Sequence, residues 1–292
     1  MSSTRLRRLG LAGTLALGLA ACSSTSNGPS NPPALSQAQA DSVGETLSAD
    51  ASELIDASTF AGGSGVALSA GSSLVPPAGC VPATSPASPT NSDADPVPDS
   101  VRFDFSGCSF TIGNYTYTAG GTIDFLDPTP LATDFALQSK FTDFTRSRTN
   151  NLLNRTVATK QNGTRLIAGN ADSLLHTITN FTTDYTFADG STARHVKDWN
   201  SKFKADVAGS IAHGFPLPDG NLTIAGTSTW TRGGATWNLS LTTPVPLHRN
   251  ATCAVPPRFD SGTAVAVVTR NGNTSTVTVQ FTACGQYTVT RS

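Results

Sequence analysis

Paired carboxylates are the residues of this chain whose type and spacing come nearest to supporting a reaction. Asp124 and Asp127 lie near the end of a predicted strand, and Asp184 and Asp189 flank a predicted hairpin. A glycoside hydrolase needs two such carboxyl groups at a suitable separation, one as acid and one as base or nucleophile. Aspartates are also common at strand ends and in turns, where they hydrogen-bond to the backbone. We therefore expect no catalytic residue and keep a glycan-acting hydrolase as an alternative.

Metal coordination has weak support in the sequence. Asp93, Asp95 and Asp99 suggest a calcium loop, but Pro96 and Pro98 interrupt the alternate carboxylates that an EF-hand requires. We expect a solvated acidic loop instead. The histidines form no closely spaced ligand pair; they are His176, His195, His213 and His248. The sequence predicts neither a metal nor a cofactor, and it lacks the P-loop motif and the Gly-x-Ser-x-Gly motif of serine hydrolases.

Residues 1–21 have the organisation of an export signal. Three arginines precede an apolar run from Leu9 to Leu19, which is shorter than the roughly 20 residues of a membrane span. The residues Leu19-Ala20-Ala21-Cys22 resemble the lipobox of bacterial lipoproteins. This resemblance implies cleavage before Cys22, a diacylglycerol on its thiol, and an acyl chain such as palmitate on the new amino terminus. The predicted mature chain begins at Cys22.

A lipid on Cys22 makes a membrane the first expected partner of this protein. Two or more acyl chains anchor a protein stably, whereas a single chain holds it only marginally. The residue that follows the cysteine is Ser23 and not an aspartate. By resemblance to the sorting of lipoproteins in enteric bacteria, this favours the outer membrane over the inner membrane. We expect a lipid-anchored protein of the cell envelope.

The other four cysteines predict two disulfide bonds, because an even number of cysteines in an exported chain is typical of a disulfide framework. They are Cys80, Cys108, Cys253 and Cys284. Three pairings are open, and we favour Cys80–Cys108 with Cys253–Cys284 because the two loops are then similar in length. Each bond would stabilise the fold by ~3–4 kcal/mol. A zinc site is the alternative, but no Cys-x-x-Cys supports it.

Charge and composition argue against nucleic acid and for β-structure. Removing the three arginines of residues 1–21 leaves 16 basic residues against 20 acidic residues, a net charge of −4. Nucleic-acid binding needs a clustered basic surface, which this chain does not offer. Thr, Ser, Asn and Gly are abundant and suit strands and turns. We expect no nucleic-acid partner and a single β-rich domain over residues 35–292.

One amphipathic helix is predicted near the start of the mature chain. Residues 22–34 are rich in Ser, Asn, Pro and Gly and are predicted to be a flexible tether. A capping box at residues 36–39 and apolar residues at helical spacing predict a helix over about 36–56, followed by an irregular loop over about 76–99. The other helix face is acidic: Asp41, Glu45, Asp50, Glu53 and Asp56. We favour a helix that covers the end of a sheet. The alternative is a helix that acts as a lid or binds a partner.

After Val101 the apolar pattern changes to a period of two, which predicts strands with one buried face. Turn dipeptides separate these strands: Asn162-Gly163, Asp189-Gly190, Asp219-Gly220, Gly233-Gly234 and Asn271-Gly272. The predicted fold is mainly β. It is a single antiparallel meander sheet of about ten strands, arranged as a sandwich or half-barrel, with one N-terminal amphipathic helix.

Two groups of side chains on the predicted strands suggest surface contacts. A Gly-Gly turn places Trp230 opposite Trp237, either as a cross-strand pair over the core, which we favour, or as an aromatic platform for sugar or membrane. Arg194, Lys202 and Lys204 share the outward face of one strand. They suggest either contact with a lipid headgroup or polysaccharide, or a solvated face that discourages edge pairing, which we favour.

The register of the last long hairpin is predicted from its valines. A three-residue turn centred on Gly272 pairs Val267 with Val277 and Val265 with Val279. We prefer this turn to a two-residue turn because strand register follows the hydrophobic face.

Three function classes remain open at this stage. The first, which we favour, is a non-catalytic surface, scaffold or binding protein of the envelope, with an envelope protein as partner. The second is a periplasm-facing carrier of lipid or another apolar ligand, enclosed between the sheet and the helix. The third is a glycan-acting envelope hydrolase. An interior cavity would support the carrier, and two carboxylates converging in a cleft would support the hydrolase.

Overall fold

A computed structural model describes residues 35–60, 81–93, 95, 97–132, 135–212 and 215–292. These residues form one helix and one open antiparallel sheet of thirteen strands, which confirms the predicted fold class with more strands than the expected ten. The helix α1 is Gln37–Phe60. The strands are β1 Ala83–Ser85, β2 Ser100–Asp104, β3 Cys108–Ile112, β4 Tyr115–Leu126, β5 Phe135–Asn150, β6 Arg155–Gly169, β7 Ser173–Thr186, β8 Thr192–Ala205, β9 Gly220–Arg232, β10 Ala235–Arg249, β11 Phe259–Arg270, β12 Asn273–Ala283 and β13 Gln286–Arg291.

The sheet is a meander in which consecutive strands pair from β4 to β13. At the other end, β2 and β3 pair with the two halves of β4, and β1 pairs with β2. The short strand β1 lies inside the segment that was predicted to be an irregular loop. The period of two seen in the sequence appears as burial: along β8, Ala193, His195, Lys197 and Trp199 are buried and their outward neighbours are not.

A row of bulges crosses the sheet from β4 to β8. The register shifts between each pair of neighbouring strands in this stretch. The residues with positive φ there are Gly121, Asp143, Gly163 and Asn180. The backbone N–H of Asp143 donates to Asn162 Oδ1 on β6 at 2.8 Å, which supports one of these bulges. Bulges bend strands and increase their twist, so the row curves the sheet.

One predicted turn is wrong because its residues form one of these bulges. Asn162-Gly163 lies inside β6 and forms part of the bulge row. Gly163 has φ 130°, and a Cβ there would lie 2.8 Å from the Cα of Phe181. The Asn-Gly pair tolerates positive φ in a bulge as it does in a turn, so the sequence signal does not distinguish the two.

The helix begins with the predicted capping box. The Ser36 N–H donates to Gln39 Oε1 at 2.7 Å, and the Gln39 N–H donates to Ser36 Oγ at 3.3 Å. The helix continues to Phe60, beyond its predicted end near residue 56. Its N-terminal end is fixed to the last strands, because Arg291 Nη1 donates to the Leu35 carbonyl and the Leu35 N–H donates to Ser275 Oγ at 3.4 Å.

The sheet curls around this helix. Asp50 contacts Lys197 on β8, and Gly44, six residues earlier, packs against Val289 on β13. Five strand spacings would separate β8 from β13 by about 24 Å in a flat sheet, roughly twice the diameter of a helix. The helix therefore lies against the inner face of a curved sheet. It does not cover the end of the sheet, which corrects the favoured prediction.

The apolar stripe of the helix packs into the core as predicted. Leu47, Ala51, Leu54 and Ile55 are buried, and the facing strands contribute the phenylalanine-rich inner surface of the sheet. The predicted acidic face is only partly correct. Asp41 and Glu45 are exposed, but Asp50 is 9 % exposed, and Glu53 is partly buried against basic residues of the sheet. None of the helices in the described ranges is long and apolar enough to cross a membrane.

The two registered hairpins have different outcomes. Trp230 pairs with Trp237 across the Gly-Gly turn, as predicted. The last hairpin has a two-residue turn at Asn271-Gly272, so Val267 pairs with Thr276 and not with Val277. That prediction is wrong because Val277 and Val279, which are buried, pair with the buried Ala266 and Ala264, whereas Val267 is 39 % exposed. Alanines can also form the buried face of a strand, and the positions of the valines did not indicate this.

The cysteines agree with the predicted framework where they are described. Cys253 and Cys284 form a disulfide bond. Cys108 is disulfide-bonded as well, and its predicted partner Cys80 lies outside the described residues. The predicted lipidation residue Cys22 also lies outside them, so the pairing of Cys80 and the lipid on Cys22 remain predictions.

Candidate functional site

A row of large rings lines the inner face of three neighbouring strands. His195 and Trp199 lie four residues apart on β8, so the strand places both on one face. Trp230 on β9 and its partner Trp237 on β10 continue the row. The ring centroids of His195 and Trp230 are 5.0 Å apart in an edge-to-face arrangement. These rings form one wall of a cavity beneath the helix.

We call this space the tryptophan cavity. Its volume, counted as space open to the centres of water molecules, is about 50 Å³. The chain contains three tryptophans, and all three line this cavity. Apolar side chains complete most of the remaining wall: Leu35 just before the helix, Val43 and Leu47 on the helix, Leu239 on β10 and Val268 on β11.

Five buried polar atoms that belong to residues lining this cavity lack a hydrogen-bond partner among the described residues. They are Nε1 of Trp199, Trp230 and Trp237, Nδ1 of His195, and Oδ2 of Asp50. Trp199, His195 and Trp237 are 2 %, 3 % and 5 % exposed. A buried polar atom left unpaired costs about 1–3 kcal/mol, so such atoms call for a partner such as water or a ligand.

A charge network lies beside the cavity, formed by Lys197, Asp50, Glu53 and Arg165. Lys197 Nζ lies 2.8 Å from Asp50 Oδ1 and 3.7 Å from Glu53 Oε2, and Arg165 Nη2 lies 2.6 Å from Glu53 Oε1. The side chains of Lys197 and Arg165 are each 4 % exposed. The Arg165 guanidinium also lies 4.1 Å from the ring centroid of Phe181. Two cations and two carboxylates therefore hold the helix to β6 and β8.

The pKa values in the network follow from burial and pairing. Burial by itself would raise the pKa of Glu53, but Arg165 and Lys197 outweigh it and hold that pKa well below its usual range. Burial would lower the pKa of Lys197, but Asp50 and Glu53 outweigh it and raise that pKa. Burial raises the pKa of Asp50, and the neighbouring Lys197 opposes the rise. A further negative charge placed beside Asp50 would therefore be unfavourable.

The three histidines that the structure describes lie in two different environments. Burial lowers the pKa of His176 to about 3 and that of His195 well below its usual range, so both are neutral at pH 7. His248 bridges two carboxylates: its Nδ1 lies 2.7 Å from Asp260 and its Nε2 lies 2.9 Å from Asp206. Both of its ring nitrogens are thus occupied. His213 lies outside the described residues.

The proposed carboxylate pairs are engaged individually. Asp124 forms a two-point salt bridge with Arg102, through distances of 2.5 and 3.0 Å. Asp184 faces Arg194 at 3.9 Å, and Asp189 accepts hydrogen bonds from Ser191 in a turn. Ion-paired and turn-forming carboxylates of this kind serve structure, and they do not form the acid and base of a hydrolytic site.

The predicted solvated acidic loop needs correction. Asp99 is solvated, and it accepts hydrogen bonds from Ser92 and Thr90. Asp95, by contrast, is only 8 % exposed, and it lies beside Asp93 and the equally buried Asp127. The sequence suggested the wrong third carboxylate, because Asp127 follows β4 and reaches the loop only through the fold.

The predicted basic face is exposed, but its interpretation changes. Arg194, Lys202 and Lys204 all point outward from β8. Since β8 pairs with β7 on one side and β9 on the other, these residues do not protect a sheet edge. The basic residue missed in the sequence is Lys197, which the strand period places on the buried face with His195 and Trp199. The inward position of this lysine on the predicted strand was the sequence signal that could have identified it.

Comparisons with known proteins give no family for this chain: no family model, no curated protein and no solved structure matches it. The site therefore has to be interpreted from its own geometry.

Proposed function

We propose that this chain is a lipid-anchored, non-catalytic binding protein of the bacterial cell envelope. The tryptophan cavity is its binding site, and the ligand is a small apolar molecule, or the apolar end of a larger one, that carries a hydroxyl-like group. The observation that carries this proposal is a mostly apolar cavity whose lining residues include five polar atoms without a partner among the described residues. A pocket of this kind, largely apolar with a few convergent polar groups, is the usual form of a ligand site.

The polar groups indicate the chemistry of the ligand. The three indole N–H groups are donors only, whereas Asp50 Oδ2 accepts a hydrogen bond when ionised. A hydroxyl both accepts and donates, so it matches both types of partner. A charged ligand would cost more, because its charge would be buried while Lys197 and Arg165 are already paired with Asp50 and Glu53.

The volume of the cavity separates a small ligand from a lipid. About 50 Å³ of space open to water centres corresponds to roughly three to five water molecules. A full acyl chain requires far more room than this. Among the carrier functions, the cavity thus favours a small apolar ligand over a complete lipid.

The envelope location rests on the sequence alone. The basic start, the short apolar run and Leu19-Ala20-Ala21-Cys22 support lipidation of Cys22, and Ser23 favours the outer membrane. A hydrolytic role has less support. Carboxylates converge at Asp93, Asp95 and Asp127, but one oxygen of each is buried away from any glycan, and the other is bound in a turn.

Tryptophan fluorescence tests the binding role, because every tryptophan of the chain lines the cavity. Titration with propan-1-ol, butan-1-ol, pentan-1-ol and hexan-1-ol should give a saturable change in fluorescence. Each added methylene should tighten binding about fourfold until the cavity is full, from a transfer free energy of about 0.8 kcal/mol per methylene.

Single substitutions identify the hydrogen-bond partners. Trp237→Phe keeps an aromatic ring and removes the N–H, so it should weaken hexan-1-ol binding about fivefold. Tyr117→Phe is the matched control, because Tyr117 stacks on Phe110 and does not line the cavity; its affinity should equal that of the wild type. The proposal fails if no alcohol gives a saturable signal, or if Trp237→Phe and Trp230→Phe both bind like the wild type.

A further inference from the structure

Three aspartates from two separate segments meet at the end of β4; we call them the acidic cluster. Asp93 and Asp95 belong to the loop before β2, and Asp127 directly follows β4. The Asp127 N–H donates to the Asp99 carbonyl at 3.2 Å, which joins the strand end to that loop. One carboxylate oxygen from each member lies within 4.8 Å of one from each of the others.

Each carboxylate of the acidic cluster uses only one oxygen to form the local turns. Oδ1 of Asp93 accepts from the Asp95 N–H at 3.0 Å, and Oδ1 of Asp95 accepts from the Val97 N–H at 2.6 Å. Oδ1 of Asp127 accepts from the Thr129 N–H at 2.7 Å. These contacts fix the orientation of all three side chains and leave their second oxygens unassigned.

The second oxygens are buried and unpaired. Oδ2 of Asp93, Asp95 and Asp127 has no hydrogen-bond partner within the described ranges, and Asp95 and Asp127 are 8 % and 5 % exposed. The three form no ion pair with a lysine or arginine of those ranges. Buried carboxylates that face one another without a counter-charge either take up a proton or bind a cation.

We propose that Asp93, Asp95 and Asp127 bind a calcium ion. Calcium accepts six to eight oxygens in a flexible geometry, whereas magnesium requires a near-ideal octahedron and keeps most of its water. Three carboxylates that come from two separate segments and are already oriented by local turns suit the more tolerant ion, with water and backbone carbonyls as further ligands. This site is independent of the tryptophan cavity.

The ion would join the loop before β2 to the end of β4. Its ligand set is not that of an EF-hand, since it combines two loop residues with one residue beyond a strand, and Asp99 is excluded by its contacts with Ser92 and Thr90. The expected affinity is that of an extracellular module, with a dissociation constant of about 0.1–1 mM.

Isothermal titration of the EDTA-treated full chain with calcium chloride, up to about 10 mM, tests this assignment. The wild type should bind one calcium and show a higher melting temperature in calcium than in EDTA. Asp95→Asn and Asp127→Asn keep the turn acceptors and remove the charge, so each should weaken calcium binding about tenfold or more. Magnesium chloride, titrated in the same way, should bind at least about tenfold more weakly.

A matched control separates a metal site from a structural turn. Asp189 accepts from the Ser191 N–H and hydroxyl as Asp127 accepts from Thr129, but it stands outside the acidic cluster. Asp189→Asn should bind calcium like the wild type. In EDTA, Asp95→Asn should melt no lower than the wild type, because it relieves repulsion. The proposal is overturned if the wild type shows no saturable calcium binding, if Asp95→Asn and Asp127→Asn both retain it, or if magnesium binds equally well.

Discussion

Lys197 and Asp50 are 147 residues apart in sequence, and the Lys197 Nζ lies 2.8 Å from Asp50 Oδ1. This contact joins the helix to the middle of the sheet, and Asp50 also lines the tryptophan cavity. The ion pair thus links the position of the helix to the shape of the proposed binding site. Because both side chains are almost fully buried, the effect of removing one depends on what happens to the other.

Lys197→Met should destabilise the protein strongly. The substitution leaves Asp50 without its closest counter-charge, and breaking a buried pair typically costs about 3–5 kcal/mol. The free energy of unfolding from urea denaturation, followed by circular dichroism, measures this loss.

A double variant and a surface control complete that test. Asp50→Leu combined with Lys197→Met should be more stable than Lys197→Met alone, because no unpaired charge of the pair remains. Lys202→Met, on the exposed face of the same strand, should change stability by less than about 0.5 kcal/mol. Equal losses for Lys197→Met and Lys202→Met would show that the buried pair does not hold the helix.

Gly44→Ala should loosen the contact between the helix and the last two strands. A Cβ at this position would lie 2.5 Å from Val289 Cγ2 and 3.3 Å from Val279 Cγ2. Alanine is the better helix former by about 1 kcal/mol, so a loss of stability would identify packing as the larger effect. We expect a loss of about 1–3 kcal/mol in thermal unfolding. Adding Val289→Ala should restore part of it; an increase in stability for Gly44→Ala alone would contradict the close packing.

The period-two pattern predicted the fold class, because alternation along each strand is a local property that burial then follows. The capping box and the Trp230–Trp237 register were equally local and were also correct. The curvature of the sheet was not predictable in this way. Asn162-Gly163 has the same conformational preference in a bulge as in a turn, and only the neighbouring strands decide between them.

The candidate sites were the least predictable part, because they combine distant segments. Asp127 joins Asp93 and Asp95 only after β4 has been placed beside the loop, and no spacing in the sequence signals this. Lys197 was visible as an inward lysine on a predicted strand, but its partner Asp50 was placed on the acidic helix face opposite the apolar stripe. Buried charges are rare unless they are paired, so an inward lysine predicts a facing carboxylate.

His248 should make stability depend on pH in a definite direction. Hydrogen bonds to Asp206 and Asp260 raise its pKa above the ordinary value, so the folded state holds the proton more tightly than the unfolded state. Its contribution is fully present below the unfolded pKa of about 6.5 and is lost as the pH rises through the folded pKa. The stability difference between the wild type and His248→Asn should therefore be larger at about pH 5.5 than at about pH 9.

The comparison with His248→Asn is necessary because two buried histidines also make the stability of the protein depend on pH. His176 and His195 have lowered pKa values, so they reduce stability as the pH falls below about 6.5, the opposite of His248. Both are unchanged in His248→Asn and cancel in the difference. Both measurements should be made above about pH 5. Below that value the protonation of Asp260, whose pKa is lowered, would also change the free energy of unfolding. A difference that is the same at both pH values would contradict the bridging role of His248.

Cys22→Ser should abolish the attachment of lipid to this protein. The thiol is the predicted attachment point of the diacylglycerol, and serine cannot take its place in a lipobox. Fractionation of cells that express the wild type should find the protein with the membranes, whereas Cys22→Ser should leave the mature-sized or precursor chain without lipid. Mass spectrometry of the N-terminal peptide provides the direct readout. An unmodified Cys22 in the wild type would contradict the predicted anchor.

The most direct test of the binding role is native mass spectrometry of the protein extracted gently from its own envelope. We expect one additional neutral, largely apolar mass that is not explained by the acyl groups on Cys22 or by a bound calcium ion. This mass should be lost or reduced in Trp230→Phe combined with Trp237→Phe and retained in Tyr117→Phe. If the wild-type protein carries only its lipid anchor and intact disulfides, with no ligand beyond these, the tryptophan cavity is not a ligand site and the proposed function is wrong.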